Sequence, residues 1–366
     1  MRIGIIGSFG SKIPLKDGQV HASLLLTHSL AAELSKMGHE VTYFGSYDKE
    51  ITKKTPLLKY NNLNYEPRAA VDGEIYADSD FRLLYEEGYI SKVLELEKEF
   101  DLFYSWASFR IAPFVRLIKK PVVLSHHESM NAPSYSSIFC ASGSNNLHIM
   151  PISNSLKKIL DCPNLLKPVY NGIDPDEITF TEKPEDYFCW VGRIMPSKGL
   201  HIAIDLANKL NFKLKVVGPM DKFKELGDLT DYDNLINKKI YESKNVDYLG
   251  YKKRDETLSI ISKAKGLIFP TDGTEACPMV VIEAMASGTP VVAFNAGPLP
   301  ELVEENVTGF LCDKEEEMAD KIKLIAQIDR VKCRDRALER FSLRAMANGY
   351  ENEFQKIINQ RKWSWF

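Results

Sequence analysis

The chain has 366 residues, 44% hydrophobic and 27% charged, with a formal net charge of −3. This length suggests two domains, the composition is that of an ordinary soluble protein, and the slight negative charge argues against a nucleic-acid grip. No apolar run approaches the ~18 residues a membrane-crossing helix needs. The six cysteines, Cys140, Cys162, Cys189, Cys277, Cys312 and Cys333, include no C-x-x-C pair. Their spacing suggests neither a zinc site nor a disulfide framework, so a reducing cytoplasm is the expected home. Residues 1–7 read directly as a strand, which leaves no room for a signal peptide.

Short apolar strands alternate with amphipathic helices along the whole chain. In the first half the predicted strands are Arg2–Gly7, Glu40–Gly45, Leu102–Trp106, Pro121–His127 and His148–Ser153. A helix over Val20–Met37 carries Leu24, Leu25, Leu30, Ala31 and Leu34 at helical spacing and stops at Gly38. The stretch from Tyr47 to Ala77 is irregular. In the second half the strands are Tyr187–Arg193, Lys213–Gly218, Val246–Tyr251, Gly266–Thr271 and Pro290–Phe294, with helices over Leu200–Leu210, Thr257–Ala264 and Pro278–Ser287. Strict alternation implies parallel sheets with right-handed crossovers. Two sets of about five strands point to an α/β chain of two doubly wound, Rossmann-like domains rather than a single barrel. The turn-rich segment Val169–Asp176 marks the boundary. The expected division is 1–175 plus a C-terminal helix at about 343–366 on one side, and 176–342 on the other.

The densest chemical signal runs from Thr274 to Gly288, T-E-A-C-P-M-V-V-I-E-A-M-A-S-G. Glu275 falls in the turn that follows a buried strand. Glu283 falls on the next helix, which has Val280, Val281, Ala284 and Met285 on one stripe and Gly288 near its end. Ligands of open α/β sheets bind at that strand edge, and the helix start near Pro278 offers amides to an anion. A carboxylate beside such a site can hold neutral hydroxyls while the amides take a phosphate, a combination that suits a sugar nucleotide. The bland alternative is a surface helix with two solvated glutamates. Upstream, Trp190-Val191-Gly192-Arg193 closes one strand and Pro196-Ser197-Lys198-Gly199 opens the next helix. Arg193 supplies a planar fork and Lys198 a mobile point charge for a single anion. The loop Asn295-Ala296-Gly297-Pro298-Leu299-Pro300-Glu301 follows another strand and reads as a pocket rim.

Taken together, V-G-R…K-G, then E-A-C-P-M-V-V-I-E-A-M-A-S-G-T-P-V-V-A, then G-P-L-P-E-L-V…T-G-F-L resembles the retaining glycosyltransferases of family 4, with their E-x7-E motif and GT-B fold of two Rossmann-like domains facing a central cleft. The likeness covers nearly the whole C-terminal half. Gly38-His39-Glu40-Val41 and Asn171-Gly172-Ile173-Asp174 add to it. It implies that Arg193 and Lys198 neutralise the donor diphosphate beside Gly192, that Glu283 holds the ribose hydroxyls and that Glu275 contacts the transferred sugar. Amides around Cys277 and Met279 complete the anion site. The family usually places an aromatic residue and a glycine soon after the first glutamate. Ala276-Cys277-Pro278 stand there instead, and Pro278 has no N–H to give. Which amides reach the sugar therefore stays open.

In the first domain Asp17-Gly18-Gln19-Val20-His21 joins the first strand to the first helix. Gly18 lets backbone approach a ligand there. Ser125-His126-His127-Glu128 ends a strand, and vicinal histidines point to opposite sides of an extended chain. His127 aligns with a strand-end histidine of the family near the donor sugar, and Glu128 is a candidate acceptor contact. Three D-x-D triplets, Asp78-Ser79-Asp80, Asp174-Pro175-Asp176 and Asp231-Tyr232-Asp233, read as chance. Arg193 and Lys198 already supply the positive charge, so no metal or other cofactor is expected.

The implied activity is that of a metal-independent hexosyltransferase. It moves a sugar from a nucleotide-sugar donor, a UDP-sugar by family frequency, to a hydroxyl acceptor such as a saccharide, glycolipid or small metabolite, with retention of configuration. The rivals are a GT-B epimerase, a phosphorylase, a two-lobed solute-binding protein and a non-catalytic sugar-nucleotide-binding protein. A phosphorylase would need a longer chain with a cofactor lysine. The C-terminal run Lys362-Trp363-Ser364-Trp365-Phe366 is the one candidate for peripheral membrane contact.

Overall fold

Valine-, isoleucine- and leucine-rich runs build two parallel sheets, and because both faces of each are covered the strands read as continuous apolar segments. The computed structural model describes residues 1–7, 12–14, 22–63, 79–106, 111–127, 144–219 and 229–363, the side chains of 79–83, 229–230 and 361–363 excepted. The strands are β1 (Arg2–Ile6), β2 (Glu40–Phe44), β3 (Lys59–Asn61), β4 (Leu102–Ser105), β5 (Val122–His126), β6 (Leu147–Pro151), β7 (Phe188–Val191), β8 (Leu214–Val217), β9 (Val246–Gly250), β10 (Leu267–Phe269), β11 (Val291–Phe294) and β12 (Gly309–Cys312). The first sheet has the order β3-β2-β1-β4-β5-β6 and the second β12-β11-β10-β7-β8-β9. Every pairing within them is parallel. Both are the doubly wound order in which the third strand's crossover reverses direction.

The ten strands expected from the sequence are all present. Each sheet also has a sixth, edge strand. β3 is three residues long and none of them is buried, so it lacks an apolar signature. β12 is a short Gly-Phe-Leu-Cys run after a turn. The irregular stretch after Tyr47 contains a short helix, Lys49–Lys54, capped by Asp48.

The chain forms two compact units. One draws on Met1–Glu128, Ala132–Gly172 and Leu343–Phe366, the other on Ile173–Ser342. The long helix Leu343–Trp363 belongs to the first unit because its apolar and polar positions both find partners there. Tyr350 packs edge-on against Tyr104 with centroids 5.3 Å apart, Glu351 accepts from His39 at 2.9 Å, and the Gly172 N–H donates to Met346 Sδ at 3.2 Å. In the second unit Trp190 is fully buried.

One expectation fails. Cys162 is disulfide-bonded, with its partner outside the described residues, whereas Cys189, Cys277, Cys312 and Cys333 are free and buried. Linear spacing does not report which Cα atoms the fold brings within bridging distance, so the cysteines do not argue for a reducing compartment. Among the described residues no helix is long and apolar enough to cross a membrane. The C-terminal aromatic run lies outside the described side chains.

Candidate active site

In the second sheet β7 stands between β8 and β10. Crossovers leave it in opposite directions, and this switch point is where open α/β sheets bind ligands beyond their carboxyl ends. Gly192 and Arg193 continue β7, and residues 270–275 continue β10. The segments that the sequence singles out are therefore neighbours at one edge.

Local chemistry fixes the geometry. The turn Pro196–Lys198 is clamped to both strands. Trp190 Nε1 donates to the Lys198 carbonyl at 3.1 Å, and Thr271 Oγ1 and the Asp272 N–H donate to the Ser197 carbonyl at 2.9 and 3.0 Å. Gly199 follows with φ +66°, and a Cβ there would lie 2.0 Å from the Pro270 carbonyl oxygen. Only glycine meets both conditions. The clamp sets Lys198 Nζ in an ion pair with Glu275, their side chains 15% and 22% exposed. In this partly desolvated setting the pair matters more than an exposed one, worth about 0–1 kcal/mol. Arg193 is exposed and makes no hydrogen bond or ion pair among the described residues.

Glu283 sits on the helix Met279–Ala286. That helix is not the amphipathic surface element its stripe suggested. Val281, Ile282, Ala284, Met285 and Ala286 are all buried, each large side chain contributing roughly 1.5–3 kcal/mol. Glu283 itself is 8% exposed, which excludes the reading of a solvated glutamate. The helix ends at Ser287, with Gly288 at φ +74° one residue beyond. Gly288 N–H donates to Met285 and Thr289 N–H to Ala284 at 3.0 and 2.8 Å, a Schellman closure that requires the left-handed glycine. At the other end no side chain caps the helix after Pro278. Cys277 is buried and Met279 half-buried at that end.

The sequence reading missed a partner. Arg254 Nη1 donates to Glu283 Oε1 at 2.5 Å, and Nη2 lies 3.7 Å from Glu177 Oε2. The available signal was a basic residue at the first position of a helix, where the dipole disfavours it.

In the first unit His127 follows β5, and its Nε2 shares a hydrogen bond of 2.8 Å with Ser125 Oγ. Ser125 in turn bonds Tyr104 at 2.7 Å. Burial lowers the His127 pKa to about 4, with neighbouring His126 adding to the shift. His126 is buried and likewise lowered to about 4 by desolvation. Both rings are therefore neutral at physiological pH. Gly18 and Glu128 lie outside the described residues.

Two other features bear on chemistry. Among the described residues no group of His, Cys, Asp and Glu is arranged to hold a metal ion. Asp174 caps its own turn by accepting from the Asp176 N–H at 3.0 Å. A pocket of about 690 Å³, lined by Phe188, Lys265, Pro290 and Arg330 among others, opens at the amino ends of β7, β10 and β11. It is on the opposite edge of the sheet from Arg193 and Glu275.

Residues 175–340 match the family of glycosyl transferases group 1. Over 188 residues the chain is 29% identical to an uncharacterized glycosyltransferase of Methanocaldococcus jannaschii, covering 51% of each protein. The chain spans about half the length, or less, of the curated relatives it matches. Among solved structures, sucrose-phosphate synthase from Thermosynechococcus elongatus superposes with a TM-score of 0.75 at 16% identity, over 98% of this chain and 100% of that one. The Anabaena protein HepE, solved with UDP and glucose, gives 0.68 at 18% identity over 96% and 98%. These likenesses identify the fold as GT-B: two parallel-sheet, Rossmann-like α/β domains.

Proposed function

We propose that this chain is a retaining glycosyltransferase that moves a sugar from a nucleotide-sugar donor to a hydroxyl acceptor. The observation that carries the proposal is the cluster at the second sheet's switch point: Arg193 exposed and unpaired among the described residues, with Lys198 held against Glu275. This cluster lies inside the stretch that matches the glycosyl transferases group 1 family. HepE, solved with UDP and glucose, favours a UDP-sugar as donor.

In this reading the guanidinium of Arg193 and the ammonium of Lys198 grip the diphosphate. As Lys198 turns to the phosphate, Glu275 is released to the hydroxyls of the sugar. Glu283 binds the ribose, and Gly192, Cys277 and Met279 line the anion site with backbone. When the bond from the anomeric carbon to the diphosphate oxygen breaks, its electron pair goes to the diphosphate. The two cations stabilise the charge that develops, in a setting already partly dehydrated. The acceptor hydroxyl is positioned on the face the diphosphate leaves, so its oxygen bonds the anomeric carbon there and its proton passes to the departing diphosphate oxygen. No protein nucleophile and no metal enter this scheme, and the acceptor is a saccharide, a glycolipid or a small metabolite.

A thermal-shift screen of the purified chain against UDP-, GDP- and ADP-sugars tests the donor, since a ligand raises apparent stability by mass action. Stabilisation by UDP-sugars is expected. Adding a mixed panel of acceptors should then release UDP. Failure of every sugar nucleotide to stabilise the chain contradicts the proposal. Acceptor-independent change of the donor's configuration would identify an epimerase instead.

A further inference from the structure

Arg254 occupies an expensive place. It is the first residue of the helix Arg254–Lys263, where the helix dipole repels a cation by about 0.3–1 kcal/mol. Asp255 and Glu256 follow it and suit that position, so the arginine runs against its local context. Its compensation comes from elsewhere. One nitrogen donates to Glu283 Oε1, and the other arm reaches toward Glu177 in the turn Pro175–Glu177. Of these two carboxylates, Glu177 is mostly exposed and Glu283 nearly buried, their side chains 62% and 11% exposed. The arginine therefore matters chiefly to Glu283.

Glu283 shows what the contact does. Its Oε1 is taken by Arg254, while Oε2 has no hydrogen-bond partner among the described residues. A polar group on a helix that is buried nearly all round is costly without a partner. Pairing with a planar fork supplies that partner and fixes the rotamer, so that the second oxygen stays available.

We propose that Arg254 is the positioning residue for ribose recognition: it holds Glu283 in one orientation, with Oε2 presented to a ribose hydroxyl of the nucleotide. This rests on the reading of Glu283 as the ribose ligand.

The experiment is calorimetric titration of the full chain with UDP, GDP and ADP and with their 2′-deoxy and 3′-deoxy forms. The variants are Arg254→Ala, Arg254→Lys, Glu283→Gln and the double Arg254→Ala/Glu283→Gln, each first shown to unfold cooperatively. Wild type should prefer the preferred nucleotide over one of its deoxy forms by about tenfold or more, as expected for a hydrogen bond to a charged group. Arg254→Ala should lose most of that preference. Arg254→Lys should recover part of it, because a point charge neutralises Glu283 without orienting it. The double variant should be no worse than Glu283→Gln alone, since both changes act on one contact. If Glu283→Gln loses the preference while Arg254→Ala keeps it, the positioning role is wrong and the ribose reading stands. If Glu283→Gln also keeps the preference, or no nucleotide binds, the ribose reading falls and takes this proposal with it. A merely structural arginine would lower the unfolding temperature and leave the ratio of ribo to deoxy affinities unchanged.

Discussion

The two sheets share one strand order, yet the end of β5 in the first and the ends of β7 and β10 in the second carry different chemistry. At the second sheet's edge stand charged pairs, Lys198 with Glu275 and Arg254 with Glu283, beside Arg193, which has no partner among the described residues. At the end of β5 in the first sheet the groups are neutral instead, with His127 tied to Ser125 and Ser125 to Tyr104, and the described charges of that edge form an exposed pair, Lys12 with Asp48, beyond β1 and β2. The same topology thus carries paired charges at the end of one sheet and uncharged hydrogen bonding beyond β5 of the other. Fold places the site, while the side chains at the edge decide what it does.

The largest effect should come from stripping charge from the second edge. Arg193→Ala and Lys198→Ala should each cost at least ~2 kcal/mol of transition-state stabilisation, read as kcat/KM once a donor is known. Their effects should fall short of additive because both act on one anion, and Arg193→Lys should rescue only in part. Near-wild-type rates in either alanine variant would show that the charges at this edge serve another purpose.

The two glutamates should then separate. Glu283→Ala should weaken nucleotide binding by more than Glu275→Ala, by roughly 1–2 kcal/mol, because a ribose contact is made in ground and transition states alike. Glu275→Ala should fall mainly in kcat. Equal nucleotide affinity for the two variants by calorimetry would erase the distinction drawn between them.

A smaller effect should distinguish the units in acid. His28, His126 and His127, all in the first unit, have pKa values lowered by burial from 6.5 to about 4. His201 in the second unit is lowered too, also by burial, but it is only half-buried. A depressed histidine favours the neutral form, so its stabilising contribution is complete above about pH 6.5 and is lost as the pH falls toward 4. Hydrogen exchange at pH 7 and pH 5, corrected for intrinsic rates, should show protection falling in β5 before it falls in β10. Equal loss in both strands would mean that these histidines do not set the acid limit.

How much of this was legible in the sequence depended on burial. Most of the ten strands that could be read are runs of buried apolar residues, while β9, an edge strand with no buried residue, was readable from its Val, Tyr and Leu between turns. β3 was not, since Lys59, Tyr60 and Asn61 form a short, unburied edge. Within the candidate site, Arg193, Lys198, Glu275 and Glu283 could be picked out by motif and by their place after strands. The pairing of Lys198 with Glu275 could not, because it depends on the Gly199 turn meeting the end of β10. Arg254 was overlooked because its partner is 29 positions away on a different helix, a contact no local pattern encodes. The disulfide at Cys162 was hidden for the same reason.

The central claim is that cationic side chains at the second sheet's switch point, without a metal, bind the diphosphate of a nucleotide sugar. The most direct measurement is calorimetric titration of the wild-type chain and of Arg193→Ala with UDP, in excess chelator and again with magnesium or manganese. Wild type should bind with the same affinity under both conditions, and the variant should lose about tenfold or more, as for a lost charged hydrogen bond. Binding that appears only with the metal, or that is unchanged in Arg193→Ala, would contradict it.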